Sequence, residues 1–140
     1  MANPRAFISF DFDNDKLQRR LFVGQSINSR VPFSIEDWSS KEELIQSRWE
    51  SIIEAKVKKC HMIIILVGKN MRTATGVAKE ISFAQSHNIP FFGVYVAGAG
   101  LTSALPAGLS RNRTITWTWN NVASAIQQVM QEGKNASYNG

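Results

Sequence analysis

The stretch His61-Met62-Ile63-Ile64-Ile65-Leu66-Val67-Gly68 decides the architecture. Its apolar run shows no polar alternation, so a strand built from it must be covered on both faces, as a central strand of a parallel sheet is. Six apolar residues from Met62 to Val67 fall far short of the roughly 20 that a membrane-spanning helix needs. Gly68 ends the run. Upstream, Leu44, Ile45, Trp49, Ile52, Ile53 and Val57 recur at helical spacing, with Ser39 or Ser40 as the cap and Lys56, Lys58 and Lys59 complementing the helix dipole at its end. Downstream, Val77, Ile81 and Ala84 mark the apolar stripe of another helix, which ends near Asn88 and Pro90.

The same alternation extends to both ends of the chain. Arg5 to Phe10 reads as a first strand that stops at the acidic loop Asp11-Phe12-Asp13-Asn14-Asp15. A first helix follows, with Leu17, Leu21, Val23 and Ile27 as its inner face and Asp13 or Asn14 as its cap. Val31 to Ile35 reads as a second, edge strand that tolerates Pro32, and residues 36–40 as a polar loop. Ile89 to Val96 is a fourth strand, Ala97 to Ser110 a soft Gly-, Ala- and Pro-containing loop, and Thr114 to Thr118 a fifth strand. Val122, Ile126, Val129 and Met130 supply the inner face of a last helix. The reading is a single α/β domain over residues 1–132 with a polar tail over 133–140. The expected fold is flavodoxin-like: an open, parallel five-stranded sheet of order 2-1-3-4-5 with helices on both faces.

A length of 140 residues fits one hydrophobic core. The net charge of +5 and a pI near 9.7 raise the question of nucleic acid. Arg19 and Arg20 lack interleaved aromatics, however, and no zinc-ligand or RNA-binding signature accompanies them, so neither nucleic acid nor a membrane is expected as a partner. Cys60, the one cysteine, reads as a small core residue, and with no signal sequence legible at the N-terminus the setting is expected to be reducing and cytoplasmic. His61 and His87 lack metal-ligand spacing, and no metal is expected. There is neither a Gly-x-Gly-x-x-Gly nor a P-loop, which disfavours a dinucleotide-binding dehydrogenase and a P-loop nucleotidase.

In an open parallel sheet the ligand sits beyond the carboxyl ends of the strands, where the strand order reverses. That rule selects residues 10–14, 36–40 and 68–75 and the start of the third helix. Asp11 and Asp13, with Asp37 across the switch point, could imitate a response-regulator acidic pocket, but Gly68 stands where the phosphoacceptor would be, which favours capping and solvation. Glu80 is the most informative residue. It borders the buried stripe of the third helix, about 60° from its centre at 100° per residue. Its side chain leans toward a helix start that opens on the expected crevice. A partly desolvated carboxylate there can meet ribose hydroxyls or stabilise an oxocarbenium-like centre as an N-glycosidic bond breaks. The plainer alternative is a rim Glu paired with Lys79 or solvated.

Ala6-Phe7-Ile8-Ser9-Phe10-Asp11, Phe33 through Trp38-Ser39-Ser40 with Trp49, the Cys60 to Gly68 run, and Val77-Ala78-Lys79-Glu80-Ile81 followed by Ile89-Pro90-Phe91 together resemble bacterial TIR-like domains in order and spacing. The resemblance covers roughly residues 5–97 and is nearest to the TIR-like subunits of Thoeris antiphage defence. It implies cleavage of NAD at the nicotinamide-ribose bond and production of a cyclic or conjugated ADP-ribose messenger. NAD would be the substrate, with no separate cofactor. The resemblance further implies Glu80 as the catalytic residue, with Ser9, Phe10 and Asp11 lining the pocket and Trp38 and Ser39 closing over the nucleotide. Implied partners are a second copy or a phage-derived activator, and a downstream effector reached through the messenger. One position departs from the family pattern: Gly76 stands where relatives usually carry Trp before the Val of the helix motif. Two other readings share these features, a non-catalytic TIR-like assembly module and a nucleoside deoxyribosyltransferase-like enzyme.

Overall fold

The structure is a computed structural model that describes residues 4–11, 14–26, 36–37 and 46–138. Strands β1 (Arg5–Ser9), β3 (Met62–Val67), β4 (Phe91–Tyr95) and β5 (Thr114–Thr116) pair in parallel, and β2 (Glu36–Asp37) adds a two-residue pairing at the outer edge of β1. The order across the sheet is β2-β1-β3-β4-β5. Helices α1 (Lys16–Ser26), α2 (Gln46–Lys59), α3 (Thr75–Ser86) and α4 (Trp119–Val129) are the crossovers.

Every residue of β3 is buried, and the period-2 geometry of a strand divides them between two cores. Ile63, Ile65 and Val67 join Phe7 of β1, Ile53 and Val57 of α2, and Val77, Ile81 and Ala84 of α3. Met62, Ile64 and Leu66 join Ala6, Ile8, Phe22 of α1, Phe92, Val94, and Val122, Ile126 and Val129 of α4. Helices therefore cover both faces, which is why the sequence of β3 shows no alternation.

Several elements depart from the sequence reading. The edge pairing of β1 uses Glu36 and Asp37, placed above in a loop, because Arg5 and Ala6 align with them in register. Val31 to Ile35 lie outside the described residues, as do Asp13, the caps proposed at Ser39 and Ser40, and the helical positions Ile27, Leu44 and Ile45. Helix α1 turns a different face inward: Leu17 is 59 % exposed and Leu21 43 %, while Asp15, Arg19 and Phe22 are buried. Those three follow at intervals of four and three and so share one side of the helix. On α2, Ile52 is likewise exposed while Ile53 and Val57 face the core.

The loop between β4 and β5 is held rather than soft. The Arg111 guanidinium donates to the Tyr95 hydroxyl and to the carbonyls of Gly100 and Ser103, and Leu109 is buried. The segment read as a tail packs as a 3-10 helix, Gly133–Tyr138. Asn135 is fully buried, and its amide nitrogen donates to the carbonyls of His61 and Val129. Lys134 reaches across as well, its backbone N–H to Asn88 and its ammonium to the Lys58 carbonyl. Among the described residues, no helix is long and apolar enough to cross a membrane.

Candidate active site

Phe7 points into the α2/α3 core, so Ser9, two residues on, points the same way at the carboxyl end of β1. Helix α3 buries Val77, Ile81 and Ala84 against that face, and Glu80 lies beside them on the wheel. The two elements bring Ser9 and Glu80 into contact: the Ser9 hydroxyl donates to Glu80 Oε1 at 2.6 Å across 71 residues of sequence. Ser9 is wholly buried and Glu80 only 8 % exposed. Burial pushes the Glu80 carboxyl up to about 8, against the smaller opposing effect of the Ser9 hydrogen bond. Glu80 is thus neither solvated nor paired with Lys79, whose ammonium faces Glu50 at 3.6 Å.

The described ends of the acidic loop after β1 are tied to each other. The Asp11 carbonyl accepts the backbone N–H groups of Asn14 and Asp15, and the Asn14 amide donates to Asp11 Oδ2 at 2.6 Å. Phe10 is half-buried, with the Arg19 guanidinium carbon 5.9 Å from its ring centroid, at the limit of a cation–π contact. Asp15, which the sequence reading left as one more acid of the loop, is 3 % exposed, and its Oδ2 has no hydrogen-bond partner among the described residues. Its carboxyl is raised by burial first and by the Asp11 charge second. A Cβ on Gly68 would lie 2.7 Å from Asp15 Cγ, so the glycine that ends β3 makes room for this carboxyl. Neither residue signals the other in sequence, because only the β1–β3 pairing brings their loops together.

Ser9, Phe10, Asp11 and Glu80 therefore cluster at the carboxyl edge of β1 and β3, but Ser9 spends its hydroxyl on Glu80 rather than facing an open cavity. Trp38 and Ser39 lie outside the described residues. Among the described residues no group of three His, Cys, Asp or Glu could hold a metal ion. Cys60 is a buried free thiol whose Sγ contacts the Lys56 carbonyl at 3.3 Å.

Residues 7–100 match the family described as Thoeris protein ThsB, TIR-like domain. The chain belongs to this family. The match runs from β1 through α3 and β4 and so includes both Ser9 and Glu80. A solved structure described as the crystal structure of a prokaryotic SEFIR domain superposes with a TM-score of 0.56 at 12 % identity, covering 92 % of this chain and 91 % of that one. At that identity the likeness extends to the fold alone. No curated protein matches the sequence significantly. Gly76, where the sequence resemblance implied a tryptophan, has Trp49 of α2 lying over it, and a Cβ there would sit 3.4 Å from Trp49 Cζ2.

Proposed function

We propose that this chain is a NAD-cleaving enzyme of antiphage defence that breaks the nicotinamide-ribose bond and turns the ADP-ribosyl group into a signal molecule. The observation that carries the reading is Glu80: a buried carboxyl raised to about 8, held by Ser9 at the carboxyl edge of the sheet, inside the segment matched to the ThsB TIR-like family.

The chemistry follows from charge. NAD carries a cationic nicotinamide ring, and a cation entering beside Glu80 favours its ionised form, lowering a pKa that burial alone has raised. The carboxylate then faces the ribose as the C1′–N bond lengthens, the bonding pair leaves on a neutral nicotinamide, and positive charge develops at C1′. Capture of C1′ by water gives linear ADP-ribose, and capture by a nucleophile within the same molecule gives a cyclic product. Ser9 fixes the carboxyl, while Phe10 and Asp11 form the adjoining rim and Trp38 and Ser39 close over the nucleotide. The reading places the enzyme in the cytoplasm, with activation by self-association or a phage-derived signal and with an effector downstream of the messenger.

The test is product analysis by mass spectrometry after NAD is incubated with wild type and Glu80→Gln, at high protein concentration and in lysate from infected cells. Nicotinamide plus a cyclic or conjugated ADP-ribose from wild type alone is the expected result. Linear ADP-ribose would reduce the reading to a hydrolase, and intact NAD under both conditions would overturn it. One observation favours a second reading, a non-catalytic TIR-like assembly module: Glu80 is almost completely covered and tied to Ser9. In that case Glu80→Gln leaves partner binding unchanged.

A further inference from the structure

Beyond Glu80, the carboxyl edge of the sheet carries a second feature. Lys69, Asn70 and Arg72, on the loop between β3 and α3, and Ala104, on the loop after β4, line an open cleft of about 380 Å³. Lys69 and Arg72 are exposed, and neither has an ion pair among the described residues. The opposite wall brings no negative charge, since Glu132 is the one carboxylate in the sequence after Glu80 and it is engaged by Arg113 at 2.7 Å. That wall is instead fastened by Arg111, whose guanidinium contacts the carbonyl of Ser103, next to Ala104, and so leaves its charge uncompensated near the rim.

The position of Lys69 depends on the opposite wall. Its Nζ lies 3.4 Å and its Cε 3.3 Å from where a Cβ on Gly98 would stand, and Gly98 itself has φ +79°. The left-handed backbone favours a glycine there, and the end of the lysine side chain lies close over it. The two cations and the Asn70 side chain follow closely on Gly68, which packs against Asp15, the residue just before α1. Chain continuity therefore puts the cleft at the carboxyl end of β3, the sheet edge at which Ser9 meets Glu80.

We propose that this cleft binds the diphosphate of a nucleotide ligand, with Lys69 and Arg72 as its charge partners. The nucleotide part rests on the NAD reading above, whereas the anion part does not. Two cations that line one open cleft and have no ion pair among the described residues match a dianionic linkage, Arg as a fork and Lys as a point charge. The sugar beyond the diphosphate would then extend toward Glu80.

Calorimetric titration of the full chain carrying Glu80→Gln, which prevents turnover, tests the assignment with inorganic pyrophosphate, ADP-ribose and nicotinamide riboside. Lys69→Ala with Arg72→Ala is expected to weaken pyrophosphate and ADP-ribose by about tenfold or more and to leave the riboside, which has no phosphate, unchanged. The exchanged pair Lys69→Arg with Arg72→Lys keeps most of the affinity. No pyrophosphate binding, or equal binding with and without the two cations, overturns the proposal. Loss confined to pyrophosphate makes the cleft a free-anion site and overturns its nucleotide form. Cleavage of NAD by wild type is scored separately, so diphosphate binding without cleavage removes the enzyme reading and keeps the cleft, and cleavage with cation-independent binding does the reverse.

Discussion

Trp49 lies over Gly76: a Cβ built on the glycine would meet Trp49 Cζ2 at 3.4 Å, although the two residues belong to different helices. At this position of α3 the resemblance to TIR-like domains leads one to expect a tryptophan. Here α2 supplies a ring to the same place, half-buried against the α2/α3 core.

Gly76→Ala is expected to stabilise the chain by about 0.4–1 kcal/mol, because in the first turn of α3 the added methyl makes an ordinary contact and removes backbone freedom from the unfolded chain. Gly76→Trp should lower the melting temperature, since Trp49 already holds the space a second indole would need. Combining it with Trp49→Ala should recover much of the loss. Thermal melts of the three variants check all of this.

Glu80 should set a pH dependence of stability. Its carboxyl titrates at about 8 when folded and 4.5 when free, so between those values the folded chain keeps a proton that the unfolded chain has released. Stability from this group is complete below 4.5, falls as pH rises toward 8, and is flat above. Glu80→Gln, which retains an acceptor for Ser9, removes that slope. Denaturant melts should show the variant gaining on wild type by more than about 1 kcal/mol at pH 9 relative to pH 5.

Ser9→Ala removes the one contact that favours the ionised carboxylate, so the Glu80 pKa moves further up. For NAD cleavage, the alkaline shift of the ascending limb in a kcat/KM profile is the expected outcome, with Ser9→Thr restoring it in part. A uniform loss at every pH would instead mean that Ser9 acts through packing.

Gly68→Ala drives a methyl into the Asp15 carboxyl and should cost about 1–3 kcal/mol. Asp15→Ala removes a buried oxygen that has no hydrogen-bond partner among the described residues and should be neutral or stabilising on its own. The double variant should recover most of the Gly68→Ala loss, a coupling that a double-mutant cycle in denaturant measures directly.

The parallel sheet, its helical layers and the central place of β3 were legible in sequence, because burial on two faces leaves an uninterrupted apolar run and burial on one face leaves a helical period. Glu80 was legible as a residue at the border of a buried stripe, and it lies inside the segment that matches the family. Periodicity failed on α1, where the expected stripe held Leu17 and Leu21, which are exposed, and left out Phe22, which is buried; on the inward side Asp15 fits against Gly68 and Arg19 lies against Phe10. The partner of Glu80, the aromatic ring over Gly76 and the docking of Asn135 beneath His61 were decided only in the tertiary structure. Each joins residues far apart in the chain, through hydroxyls, amides and single contacts that carry no period. A local pattern can specify which face of an element is buried, but what that face meets depends on the register of the whole sheet.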